Sequence, residues 1–344
     1  MISTHSSTFS LKNSIYLFLS IAISLFFTWL AFRDTDLKWF ISSIKSISPF
    51  WFTVFILTQF GMIIFRSERW YHLVKGVSEE RRSRSRVYWT SFIGFAAILV
   101  LPLRMGEIVR PMLLSSPKSS EDRLRTTWLL SAVLVERITD GIIMSLTVFC
   151  CILLIRNPPN WLFITGLISL LFFIALAGLS LFISFFPDFI IRLAALPLRL
   201  TRRTFSSLII EKLKYIIDGI RKGLAMSVKR HEFSHFLFFT MVYWAFNAFG
   251  VFVLAKAFYL DVSLNISTLI MSLVVIGIFI PAAPGHVGNY HHFARLGLSI
   301  AITGAILEGP GMAFIFTLHA VQFLLYCFAG ILGIAAGGLN RETS

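Results

Sequence analysis

Charge is what this sequence lacks most. Only 14% of its 344 residues are Asp, Glu, Lys or Arg, against about 25% in an average soluble domain. The mean hydropathy is +0.79, and several charge-poor runs reach the roughly 20 residues that cross a hydrocarbon layer as a helix. These runs are continuous and do not alternate with polar residues, which argues against a β-barrel. The sequence therefore predicts an all-α, polytopic helical membrane protein.

Acidic residues and cysteines are also scarce. There are 17 Asp and Glu against 31 Lys and Arg, a net charge of +14. In a membrane chain, basic loops that face the cytoplasm and anionic lipid explain such an excess, so we expect no nucleic-acid partner. The three cysteines lie in apolar runs, with neither metal-ligand spacing nor a disulfide pattern. We expect no metal and no cofactor.

The apolar runs predict about seven to nine membrane segments in a single integral membrane domain, residues 1–344. The first run has no small-residue cleavage site after it, so it is interpreted as a retained span. The predicted spans are Ser14–Phe32, Pro49–Phe65, Thr126–Ile155, Trp161–Phe186, Phe233–Ala255, Leu264–Ile280 and Gly311–Leu339, and the ambiguous segments are Val87–Leu103 and His291–Leu307.

Loop charge predicts the topology. Arg66–Arg86 holds seven basic residues against three acids, and Pro187–Glu232 holds ten against four, so both should be cytoplasmic. A full crossing by Val87–Leu103 would put them on opposite sides. A re-entrant hairpin keeps both inside, and Pro102 and Gly106 suit an interrupted helix. Both termini are then cytoplasmic, and the chain is expected in a bacterial inner membrane.

The segment 187–232 has helical amphipathic periodicity. Its apolar positions are Phe205, Leu208, Ile209, Leu213, Ile216, Ile217, Ile220 and Leu224. The pattern predicts an interfacial helix on the cytoplasmic side. It favours a surface helix anchored on anionic lipid over a lever that takes part in transport.

Charged residues interrupt the apolar runs at two places. In "LPLRMGEIVRP" the residues Arg104, Glu107 and Arg110 are spaced i, i+3, i+6, and in "VERITD" the residues are Glu136, Arg137 and Asp140. Glu136 lies about ten residues into its predicted span, roughly 15 Å deep. Charges at that depth must pair or meet water. We expect Arg104 and Arg110 as partners of the carboxylates, either as a structural clamp or as the lining of a cavity that binds a lipid phosphate.

A second motif, "IPAAPGHVGNYHH", breaks an apolar stretch with two prolines and two glycines. Gly285 and Gly288 permit tight turns or exposed amides, and His286 and His291 add polar groups. Broken helices of this kind often form transporter substrate sites. A turn that faces a lipid headgroup is favoured over plain interfacial histidines, and a metal site is disfavoured because the spacing matches no common ligand set.

Four motifs in order, "RSERW", "LPLRMGEIVRP", "ERITD" and "PAAPGHVGNYHHF", resemble the flippase-like transmembrane domain of the lysylphosphatidylglycerol synthase/flippase family. The resemblance covers roughly residues 15–338. It implies a helical bundle with two re-entrant elements, a lipid-accessible cavity and lipid translocation. The motif positions fall on Arg104, Glu107, Arg110, Glu136, Arg137 and Asp140, and on Pro284, Gly285 and Gly288. Many relatives carry Glu where this chain has His291, which puts the headgroup preference in doubt.

These observations predict a lipid-binding protein that flips an anionic phospholipid or another lipid phosphate. The alternative is a membrane subunit that presents a lipid-linked substrate to a separate glycosyltransferase, and a homo-oligomer is also possible. We expect no enzyme, because no Ser/Lys or Ser/His arrangement at a credible spacing is present, and no stretch of soluble aminoacyl-transferase composition follows the last apolar run. Without a P-loop motif, uphill movement would need an ion gradient, the membrane potential or a partner.

Overall fold

The computed structural model describes residues 11–77, 83–101, 106–115, 120–198, 203–227, 230–280 and 283–337. Within these ranges the regular structure is entirely helical. The helices are α1 (Leu11–Phe32), α2 (Leu37–Lys45), α3 (Pro49–Val77), α4 (Arg84–Val100), α5 (Gly106–Ser115), α6 (Ser120–Ile152), α7 (Asn160–Phe185), α8 (Pro187–Leu198), α9 (Arg203–Ser227), α10 (Arg230–Ala257), α11 (Leu264–Gly277), α12 (Asn289–Leu298), α13 (Gly304–Ile306) and α14 (Met312–Ala335). A 3₁₀ turn, Pro284–His286, precedes α12, and a π turn, Leu307–Gly311, joins α13 to α14.

Four helices are long and apolar enough to cross a membrane: α3, α7, α10 from His231, and the continuous stretch Gly304–Ala335. The chain is therefore an all-α polytopic membrane protein, as the composition predicts. Helix α7 illustrates the membrane-facing pattern. Its buried residues Leu162, Gly166, Ser169 and Phe173 recur three or four apart, which is one helix face. That face packs on α6, where the hydroxyls of Ser145 and Ser169 are 2.7 Å apart.

Helices α3 and α10 form the antiparallel centre of the bundle. At one end the backbone N–H of Ser48 donates to the carbonyl of Ala257. At the other end Lys75 forms a salt bridge of 2.7 Å with Glu232. A 29-residue α3 spans about 43 Å at 1.5 Å per residue, which is long enough to place these two ends on opposite sides of a hydrocarbon layer.

Helices α4 and α5 form a tight antiparallel hairpin. A Cβ added to Gly106 would lie 2.0 Å from the backbone nitrogen of Ile98, and one added to Gly94 would lie 2.0 Å from Cγ of Arg110. As α5 advances, its contacts therefore move back along α4. Leu114, near the end of α5, belongs to the same hydrophobic cluster as Val87 at the start of α4. This is the geometry that a re-entrant segment requires, while its depth in the bilayer stays a prediction.

Several predicted boundaries are wrong. Helix α3 does not end at Phe65 but continues to Val77, so Arg66–Trp70 lies inside the bundle and not in a loop. Within the segment 187–232, the predicted amphipathic helix is confirmed as α9, Arg203–Ser227, but the segment is not a surface helix alone. It contains α8 and α9 and the first turn of α10, and Gly219 and Gly223 of α9 pack against Thr127 and Ser131 of α6. The ambiguous segment His291–Leu307 contains most of α12, which ends at Leu298, and the short α13.

Candidate functional site

A buried ionic cluster joins α3, α5 and α6. The guanidinium of Arg69 donates from Nη1 to Oδ1 of Asp140 at 2.6 Å and from Nη2 to Oε1 of Glu136 at 2.6 Å. All three side chains are 0–1% exposed. Glu136 and Asp140 are one helical turn apart on α6, so one guanidinium can reach both carboxylates. Charge-assisted pairing of this kind is what makes such burial tolerable.

Arg110 and Arg137 complete the cluster. Arg110 donates from Nη2 to Glu136 at 3.0 Å and is wholly buried, with its guanidinium 4.5 Å from the ring centre of Trp70. Arg137 reaches Glu136 at 2.7 Å, Asp140 at 3.2 Å and Glu107 at 3.7 Å. The absence of a Cβ at Gly94 leaves room for the Arg110 stem. The hairpin therefore delivers Arg110 and Glu107 to the carboxylates of α6.

Arg66 is a further cation of this region, one helical turn before Arg69. It is 8% exposed and forms no salt bridge with any carboxylate in the part of the chain that the structure describes. Its Nη1 donates to the hydroxyl of Tyr326 at 2.8 Å, its guanidinium lies 4.4 Å from the ring centre of Phe95, and its Nε has no hydrogen-bond partner. The cluster thus holds four arginines and three carboxylates among the described residues, an excess of one positive charge.

The second motif forms a strained turn. Gly285, His286 and Gly288 have φ values of +77°, +55° and +91°, in the left-handed region that favours glycine. At His286 this conformation is a local strain of the kind that collects at functional sites. Asn289 donates to the carbonyls of Ile280 (3.1 Å) and Gly277 (3.4 Å). It thereby satisfies the carbonyl of Ile280 and adds a second hydrogen bond to that of Gly277, which already accepts from the N–H of Ile280, and so stabilises the break in the helix where α11 ends.

Two histidines close this turn through a directional hydrogen-bond chain. The N–H of Gly288 donates to Nδ1 of His291 at 3.4 Å, Nε2 of His291 is 3.3 Å from Nδ1 of His319, and Nε2 of His319 is 2.8 Å from the carbonyl of Gly285. A carbonyl only accepts and a backbone N–H only donates. The hydrogen-bond chain is therefore complete when both imidazoles are neutral and carry their hydrogen on Nε2.

One face of α14 carries polar groups from this turn to Arg66. His319, Gln322 and Tyr326 are spaced i, i+3 and i+7. The hydroxyl of Tyr290 donates to Oε1 of Gln322 at 2.8 Å, and Nε2 of Gln322 donates to Oε1 of Gln59 at 3.2 Å. The two motifs, distant in sequence, thus meet along one polar face.

A cavity of about 100 Å³ lies between the two motifs. One water needs about 10–15 Å³ by this measure, so several waters or a small polar group fit. The polar residues that line the cavity are Arg66, Arg69, Arg137, Asp140, Tyr243, Asn247, His286, Tyr290, His319, Gln322 and Tyr326.

Away from the cavity, a smaller ionic group ties α12 to neighbouring elements. Arg295 forms salt bridges of 3.1 Å with Asp34, between α1 and α2, and of 2.5 Å with Glu308 in the π turn. The hydrogen bond from Arg295, followed by that from Arg33, lowers the pKa of Asp34. This group fastens the broken segment to the exposed end of α1.

The structure brings together most of the residues that the sequence predicts. The pairing of Arg110 with Glu136 is confirmed. Arg104 lies outside the described residues. Gly288 approaches α1 and not the cavity, because a Cβ there would lie 2.3 Å from the carbonyl oxygen of Ser24. Gly285 and His291 act through the hydrogen bonds of the turn, and His286 lines the cavity directly.

Sequence reasoning missed Arg66 and Arg69 by assigning them to a loop. It also missed the polar face of α14 and the aromatic residues Tyr243 and Trp244. The indole Nε1 of Trp244 donates to Oδ1 of Asp140 at 3.0 Å. Polar residues at helical spacing inside the predicted last span were the available signal for the α14 face.

Fold and site together define a polytopic helical membrane protein with a buried, arginine-rich polar cavity. The family model described as the lysylphosphatidylglycerol synthase TM region matches residues 17–330. The chain belongs to this family, as the order of its motifs predicts. No curated protein and no solved structure matches the chain.

Proposed function

We propose that this protein binds the phosphate of an anionic membrane lipid in the cavity and moves that lipid between the two leaflets. The observation that carries the proposal is Arg66. A buried guanidinium with no carboxylate partner in the described part of the chain is costly unless an anion joins it. Arg66 lines the cavity beside Arg69 and Arg137, so a phosphate there would complete the charge balance.

The structural clamp and the binding site are distinct parts of one cluster in this proposal. Arg110 does not line the cavity and pairs with Glu136. It would hold the α4–α5 hairpin against α6. Arg66 and Arg137 line the cavity and would contact the ligand. Since the cavity is about 100 Å³, it suits a phosphate with part of a headgroup, and the acyl chains would remain in the bilayer.

The two interrupted segments support alternating exposure of the cavity. The α4–α5 hairpin and the turn before α12 approach it from different parts of the chain. Broken helices of this kind line the binding sites of many transporters. Movement of either segment against the α3–α10 centre would open the cavity to one leaflet. The proposal places the chain in a bacterial inner membrane with both termini in the cytoplasm.

A native mass spectrum of the purified protein tests lipid binding directly. The wild type should retain anionic phospholipid, and Arg66→Gln should retain less because one charge-assisted contact is lost. The matched control is Arg33→Gln, which removes an exposed arginine outside the cavity. Retention of zwitterionic lipid alone by the wild type would overturn the proposal.

A further inference from the structure

The cavity is also lined by a neutral polar group, the side-chain amide of Asn247. Asn247 of α10 is 9% exposed and lines the cavity. Its side-chain amide has no hydrogen-bond partner among the described residues. Gln322, Gln59 and Asn289 differ from it, because each is engaged by the protein itself. An amide presents two donors and one acceptor, and those of Asn247 are therefore available to water or to a ligand in the cavity.

The carboxylates near the cavity are already committed to arginines. Glu136 receives hydrogen bonds from Arg69, Arg110 and Arg137, and Asp140 is paired with Arg69 and Arg137. Glu107 is engaged too. An ammonium group of a ligand would have to displace a guanidinium, which already has the geometry that a carboxylate prefers.

Five of the aromatic rings that line the cavity are already occupied by other groups of the protein. Arg66 lies over Phe95 and Tyr326, at 4.4 and 5.2 Å from the ring centres. Arg69 lies over Tyr243 and Trp244, at 4.6 and 5.9 Å. The ring of Tyr290 stacks on His319 at 4.3 Å. Cation–π recognition of a ligand ammonium needs exposed ring faces, and these five rings already face other groups of the protein.

We infer that the site selects a lipid whose anionic phosphate carries a neutral, hydroxylated headgroup, and that Asn247 is the residue that recognises the hydroxyls. The inference rests on the proposed function, since it concerns the lipid that occupies the same cavity. A hydroxyl both donates and accepts, so it satisfies the Asn247 amide in either orientation. Arg66 supplies the charge for the phosphate, and Asn247 supplies the specificity.

The test measures binding of four lipids to the full chain in detergent. Phosphatidylglycerol is the hydroxylated anion, and phosphatidylpropanol has the same charge and nearly the same shape without the two hydroxyls. Phosphatidylethanolamine and lysylphosphatidylglycerol carry an ammonium. The wild type should bind phosphatidylglycerol about tenfold tighter than phosphatidylpropanol, as expected when a buried amide is left unpaired, and both should exceed the two ammonium lipids.

Asn247→Leu should bring phosphatidylglycerol down to the affinity of phosphatidylpropanol without changing the latter. Asn265→Leu is the matched control. It removes an amide that bonds to the carbonyl of Cys151, away from the cavity, and should leave the lipid order intact. If Asn247→Leu does not fold, the relative affinity of the wild type for phosphatidylglycerol and phosphatidylpropanol still tests whether the site recognises the hydroxyls.

The outcomes separate the two proposals. Equal wild-type affinity for phosphatidylglycerol and phosphatidylpropanol, with both above phosphatidylethanolamine, overturns the role of Asn247 and leaves anionic lipid binding intact. Tight binding of lysylphosphatidylglycerol overturns the exclusion of ammonium groups. Equal affinity for all four lipids overturns the proposed function as well.

Discussion

Arg69 and Asp140 are joined by two hydrogen bonds, of 2.6 Å from Nη1 to Oδ1 and 2.8 Å from Nη2 to Oδ2, although 71 residues separate them in the chain. Both side chains are 1% exposed. This pair fixes α3 against α6 at the centre of the ionic cluster. Because each charge is desolvated, removing one partner should cost far more than breaking an exposed pair.

Arg69→Gln should therefore lower the free energy of unfolding by about 3–5 kcal/mol, the range for removing one partner of a buried pair. Thermal unfolding in detergent, followed by tryptophan fluorescence, measures the change. Arg33→Gln is the comparison, since it breaks a pair with side chains 48% and 50% exposed and should cost about 1 kcal/mol or less. Equal effects of the two substitutions would mean that the cluster is solvated.

Gly106 is required for the close approach of α5 to α4. Gly106→Ala should destabilise the hairpin by roughly 1–3 kcal/mol or more, the cost of overpacking, because the added Cβ would meet backbone that cannot rotate away. Gly178→Ala in α7 is the control, as nothing lies within 4 Å of its added Cβ and alanine favours a helix. Unfolding curves for both variants test this. A fully stable Gly106→Ala protein would contradict the hairpin geometry.

The sequence predicted the helical membrane class and the family. It succeeded where the signal is local, as with Glu136 and Asp140, whose spacing and depth identify a buried pair. It failed where the answer depends on contacts between distant helices. Asp140 pairs with Arg69, and nothing in local spacing distinguishes Arg69 from Arg104 as the partner.

The error at Arg66–Trp70 has a physical cause. Counting basic residues places arginines at a membrane surface, because an isolated arginine in lipid is costly. Here Arg66 and Arg69 are covered by protein and face carboxylates, hydroxyls and aromatic rings. Helix α3 can then continue past Phe65 to Val77. Asn247 was missed for a related reason. Its position in an apolar run does not reveal whether its side chain faces the cavity or the lipid.

The hydrogen bonds of the second motif predict a protonation state. His291 and His319 should both be neutral at pH 7, with the hydrogen on Nε2, because Nδ1 of each accepts a hydrogen bond. Solid-state NMR of ¹⁵N-histidine-labelled protein reports this from the ring nitrogen shifts, with His291→Phe and His319→Phe for assignment. Shifts typical of imidazolium, or a hydrogen on Nδ1 of either ring, would contradict this chain of hydrogen bonds.

The arrangement of helix ends predicts which loops share a side of the membrane. Ser83 and Glu211 should label from one side of the membrane. Helix α9 packs on the first half of α6, and the end of α5 lies beside the start of α6. Lys38 should label from the other side, next to the start of α3. Single cysteines at the three positions, in a background without the three native cysteines, test this with an impermeant reagent. If Ser83→Cys and Glu211→Cys are labelled from opposite sides, α4 and α5 together cross the membrane and do not form a re-entrant hairpin.

The most direct test of the central proposal is translocation of a fluorescent anionic phospholipid in proteoliposomes, with Arg66→Gln beside the wild type. We predict that the wild type moves the anionic lipid faster than phosphatidylethanolamine, and that Arg66→Gln slows this movement about tenfold or more, as loss of one hydrogen bond to a charged group implies. Arg66→Lys should retain part of the rate, because the charge remains while the planar donor fork is lost. If folded Arg66→Gln protein moves the anionic lipid as fast as the wild type, the Arg66 guanidinium is not the phosphate site and the proposal is contradicted.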